Sequence, residues 1–85
     1  MIYVFKDGSE VDLERILSVS SIRDLGLDKD SISESKLGFT IRLDKHESMK
    51  ITRNYHYSDW ATVKIELEKE RNDLLKQWSQ LAKNP

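Results

Sequence analysis

Trp60, Val63, Leu67, Leu74, Trp78 and Leu81 recur at spacings of three, four and seven residues, which is one stripe of an α-helix. The spacing predicts a helix over residues 58–82. Ser58 is placed to cap it, Asp59 puts a negative charge in the first turn, and no glycine or proline interrupts it before Pro85. The opposite face carries Glu66, Lys69, Asp73, Lys76 and Gln80, with Glu66–Lys69 and Asp73–Lys76 as i, i+3 pairs of the stabilising sign.

The rest of the chain alternates with a period of two. Leu37, Phe39, Ile41 and Leu43 are separated by Gly38, Thr40 and Arg42, and Asp44 follows. Met49, Ile51, Tyr55 and Tyr57 alternate with Lys50, Thr52, Asn54 and His56, with Arg53 alone interrupting the apolar set. Strands over 37–44 and 49–56 joined by the polar loop 44–48 form a hairpin with one apolar and one polar face. Pairing Leu43 with Met49 sets Ile41 opposite Ile51, Thr40 opposite Thr52 and Arg42 opposite Lys50. Tyr55 and Tyr57 then lie beneath the helix.

The N-terminal half is less regular. Ile2 to Phe5 is apolar on both faces and stops at Asp7-Gly8, so residues 2–6 read as a strand that is central or covered on both sides. Ser9 and Asp12 suggest a helix start, and Leu13, Ile16 and Leu17 support one or two turns over 12–16. Val19 and Ile22 leave that stripe, which favours a strand over 17–23; one helix over 10–24 is the competing assignment. Residues 25–36 read as a loop. Its Asp28-Lys29-Asp30 faintly follows a calcium-loop pattern, but Ile32, Ser33 and Phe39 stand where a ligand, a glycine and a glutamate belong.

A chain of 85 residues allows one domain, residues 1–85, with sheet and turns over 1–57 and a thin core. Its 14 lysines and arginines against 15 carboxylates give a net charge of -1, which argues against a bulk polyanion partner. The absence of cysteine removes disulfides, thiol catalysis and cysteine metal sites. No apolar run is long enough for a signal segment or a membrane span, so a cytoplasmic location is expected. The chain begins at Met1 without a tag-like preamble, and a complete small gene product is expected.

Candidate chemistry is sparse. His46 lies in the turn between Lys45 and Glu47, and His56 between two tyrosines; neither has a second ligand at metal spacing. There is no nucleophile elbow and no phosphate loop. No enzymatic activity, cofactor, metal or small-molecule substrate is expected. Basic residues on the polar face of the hairpin, with Arg42 and Lys50 side by side, make a nucleic-acid contact the alternative function.

The expected fold is α+β: a small antiparallel sheet of three to five strands packed by one long C-terminal amphipathic helix. In architecture alone this resembles a reduced pleckstrin-homology-like domain, a likeness that carries no function. A helix of this length, about 37 Å, outruns a seven-residue strand of about 23 Å. Leu74, Trp78 and Leu81 then overhang the sheet, widened by Leu75 and Ala82, and form a protein-contact surface. The rival arrangement folds residues 10–25 beneath the helix end. The expected function is a non-enzymatic interaction module, a homodimer or a binder of another protein, such as a phage or accessory-gene modulator of a host protein.

Overall fold

The computed structural model describes residues 1–27 and 34–83. Its architecture is α+β: antiparallel strands packed against one C-terminal helix. The strands are β1 (Ile2–Val4), β2 (Glu10–Asp12), β3 (Ile16–Val19), β4 (Arg23–Leu27), β5 (Glu34–Leu43) and β6 (Ser48–His56), and the helix is α1 (Trp60–Lys83).

β5 organises the larger sheet. β6 pairs along one of its edges, while β3 and β4 share the other, one at each end. The break between β3 and β4 stays attached to β5 through Ser20, whose N–H donates to Thr40 O and whose Oγ accepts from Thr40 N–H, each at 2.8 Å. The strand expected over 17–23 is therefore two strands with a seam at 20–22, and a helix over 10–24 is excluded. The helical signal before it is real but short. Asp12 accepts from Glu14 N–H and caps a single 3-10 turn, Leu13–Arg15. Of the loop expected over 25–36, residues 25–27 belong to β4 and 34–36 to β5; residues 28–33, with the calcium-loop pattern, lie outside the described residues.

The hairpin register differs from expectation by two residues. Lys45 and His46 both lie in the left-handed region, with φ 59° and 60°. Glu47 N–H donates to Asp44 O. This is a turn of the I′ kind, whose twist matches the flanking strands. Leu43 N–H donates to Glu47 O, so three residues, Asp44, Lys45 and His46, separate the strands rather than five, and Phe39 faces Ile51 and Ile41 faces Met49. Arg42 faces Ser48 and Lys50 faces Thr40, so the expected like-charge pair does not form. A slide of two preserves which side chains point inward. Leu37, Phe39, Ile41, Leu43, Ile51 and Tyr55 are accordingly all buried.

β1 is not a central strand. Among the described residues it pairs with β2 alone, in a separate two-stranded sheet; Tyr3, with Phe5 just beyond the strand, covers the core while Ile2 and Val4 stay exposed. The start of α1 also departs from expectation. A 3-10 turn, Tyr57–Asp59, leads into the helix, and no side chain caps it, Ser58 included. Tyr57 sits in that turn, 96% exposed, rather than beneath the helix.

α1 lies on the inner face of the sheet. Leu67 and Leu74 pack into the core beside Leu13 and Ile16, and the 3-10 turn Leu13–Arg15 contacts the helix. The N-terminal segment thus provides the floor that β5 and β6 alone lack under the second half of α1. Among the described residues, no helix is long and apolar enough to cross a membrane.

Candidate interaction surfaces

The helix is positioned by polar ties gathered in one of its turns. Arg53 Nη2 donates to Glu70 Oε1 at 2.9 Å and to Oε2 at 2.8 Å, and the Lys6 N–H donates to the same Oε1 at 2.9 Å. Tyr3 OH donates to Asp73 Oδ2 at 2.8 Å, and Arg71 Nε to Ser20 O at 2.8 Å. Burial and the Asp73 and Glu70 carboxylates push the Tyr3 hydroxyl well above its ordinary pKa. Arg53, read in the sequence as an interruption, faces inward from β6 because it pairs with Leu37 of β5.

Leu74, expected in a contact surface, is completely buried in the chain's own core. Trp78 and Leu81 pack partly buried against the same core, and Leu81 borders a shallow hollow with Met1, Gln77 and Gln80. Trp60, which opens the same apolar stripe, is 40% exposed at the other end of the helix. Apolar surface is therefore richer where α1 begins than the stripe implied.

At that end lies a cleft of about 570 Å³, lined by Asp24, Tyr55, Tyr57, Ser58, Trp60 and Ala61. Tyr55 OH donates to Asp24 Oδ2 at 2.8 Å and Gly26 N–H to Oδ1 at 2.8 Å. The Gly26 N–H first, and then the Tyr55 hydroxyl, hold the Asp24 carboxyl below its usual pKa, while the same carboxylate pushes the Tyr55 hydroxyl up. Lys64 Nζ lies 4.9 Å from the centroid of the Trp60 ring, so this aromatic already accepts a cation. The sequence placed neither Asp24 nor Trp60 here. The signal was Tyr57 followed three residues later by Trp60, at a strand-to-helix junction.

The second surface is the outer face of the four-stranded sheet. Arg42 and Lys50 both stand on it and are exposed, as diagonal neighbours rather than opposite partners. Arg23 and Lys36 join them, because Arg23 pairs with Gly38 and Lys36 with Asn54. His46 is exposed in the hairpin turn, and His56 is exposed at the end of β6. Among the described residues, no three potential metal ligands cluster. No protein-family model, no curated protein and no solved structure matches the chain.

Proposed function

We propose that the protein is a non-enzymatic interaction module that binds another protein, with the cleft at the start of α1 as its contact site. The observation that carries this reading is the pairing of exposed Tyr57 and Trp60 around an ionised Asp24. Tyrosine and tryptophan bury much area at little rotamer cost and anchor protein contacts. A carboxylate between aromatic walls suits a side chain with an apolar stem and a cationic head, so the occupant is a lysine or arginine of the partner's segment. Asp24 is a poor proton acceptor at neutral pH, because two hydrogen bonds already stabilise its charge. That favours recognition over acid–base chemistry.

The test is fluorescence anisotropy of labelled alanine peptides bearing spaced lysines or arginines, titrated with the protein. Binding that falls at least about tenfold, about 1.4 kcal/mol, in Asp24→Asn and in Trp60→Ala supports the reading. Binding indifferent to both changes removes it. Self-association lost in the same variants makes the partner a second copy of this chain.

A further inference from the structure

We propose that the outer face of the four-stranded sheet binds the backbone of a nucleic-acid duplex. The β5–β6 pairing, extended by β3 and β4, arranges this face in rows. Arg42 stands between Ser18 and Ser48; Lys50 stands beside Thr40; Arg23, Gly38 and Thr52 form the next row; Gly26, Lys36 and Asn54 form the last. Each row carries one cation. Successive rows are two residues apart, about 6.7 Å, so the four cations run about 20 Å along the sheet.

Three further observations favour an anionic occupant. The helix lies against the opposite face, so this one is uncovered, and Arg23, Arg42 and Lys50 are exposed. None of the four cations is in an ion pair among the described residues. Other cations are paired: Arg15, Arg53, Lys64 and the N-terminus with Asp44, Glu47, Asp7, Glu70, Glu68 and Asp12. The paired positions of these four rows carry no carboxylate; the others hold hydroxyls, an amide and two glycines, with the half-exposed Leu25 beside Gly38. A net charge of -1 therefore conceals a basic stripe.

The choice of duplex follows from what the rows lack. They hold no aromatic side chain on which an unpaired base could stack, so a single strand gains nothing beyond its phosphates. The duplex presents the denser charge, about one per 1.7 Å of axis. Contacts of this kind read the backbone and not the base sequence.

The experiment is fluorescence anisotropy of a short labelled duplex of random sequence, repeated between about 50 and 200 mM salt. Four neutralised phosphates give a slope of about -3.6 in log K against log salt, an affinity loss of about 150-fold over that range. Arg42→Gln with Lys50→Gln leaves about two phosphates neutralised and cuts that loss to about 12-fold. Lys69→Gln with Lys76→Gln, on the exposed side of α1, leaves it unchanged. The proposal is overturned by any of four results: no binding at low salt, binding indifferent to the Arg42 and Lys50 changes, tighter binding of a single strand of the same length, or a polyglutamate of equal charge binding as tightly. The last result assigns the face to an acidic protein. The cleft variants Asp24→Asn and Trp60→Ala do not affect duplex binding, so this test is independent of the cleft reading.

Discussion

Arg53 and Glu70 meet across the sheet–helix interface, one guanidinium nitrogen bridging both carboxylate oxygens at 2.9 and 2.8 Å. Glu70 is only 6% exposed. Its charge is tolerated there because the carboxylate also accepts the Lys6 N–H. The other arm of Arg53 donates to Thr52 O and to Asp7. Each residue leaves the other without a counter-charge if it is removed, and this asymmetry decides what substitution does.

Arg53→Ala is expected to cost about 3 kcal/mol in urea unfolding, the low end for a buried pair because Arg53 retains some solvent contact. Arg53→Met with Glu70→Leu recovers most of that loss, since no charge is then stranded. A double variant as unstable as the two single changes summed would show that the pair is not coupled.

The hairpin turn predicts a gain. Lys45 and His46 hold left-handed backbone that side-chain-bearing residues adopt at a cost of about 1 kcal/mol or more each. Lys45→Asn with His46→Gly supplies the residues this turn prefers and is expected to raise stability by about 1 kcal/mol. Unchanged or lower stability in chemical denaturation would contradict the turn assignment.

Gly38 is required by close approach. A Cβ there would lie 2.6 Å from Ile51 O and 2.9 Å from Thr52 Cγ2. Gly38→Ala therefore forces β5 from β6 and is expected to cost about 1–3 kcal/mol. Amide protection across the central rows of the hairpin should fall with it; unchanged protection would count against this packing.

Leu74 and Trp78 differ although both lie on the same stripe. Leu74→Ala should cost about 2–5 kcal/mol, as for a fully buried leucine. Trp78→Ala should cost less, because that ring is only partly covered. Equal losses in parallel urea titrations would mean that the helix end is buried as deeply as its middle.

Tyr3 predicts a loss at high pH. Its hydroxyl is held neutral in the folded chain, whereas in the unfolded chain it ionises near pH 10. Above that value the unfolded state binds fewer protons than the folded one, so stability falls as pH rises. Tyr3→Phe should flatten the decline above about pH 10. Identical slopes for the two proteins would show that the hydroxyl contributes nothing to it.

Much of the architecture was legible from periodicity, and the departures have physical causes. The period-two runs and the helical stripe located β5, β6 and α1. The register was not legible, because a polar stretch does not reveal how many of its residues make the turn; positive φ at Lys45 and His46 settled it. Apolar residues on both faces of β1 imply cover on both sides, yet the small sheet it forms with β2 is covered on one face alone, where Tyr3 and Val11 meet the core, while Ile2 and Val4 stay exposed. The two charged interruptions, Arg53 in a strand and Glu70 in the helical stripe, were each other's partners. Matching them needed the fold. The four-cation face required β4, which a loop assignment had hidden.

The ties from Glu70, Arg71 and Asp73 reach residues 3, 6, 20 and 53 from a single helical turn, about 5.4 Å of a rod about 36 Å long. Mechanically this makes α1 a beam clamped near its middle. A clamp there holds the turn fixed and leaves the two arms to move independently of one another. Hydrogen exchange would record this as a gradient, slowest around Leu67–Leu74 and faster toward each tip, and a ligand seated at one tip would slow exchange at that tip alone.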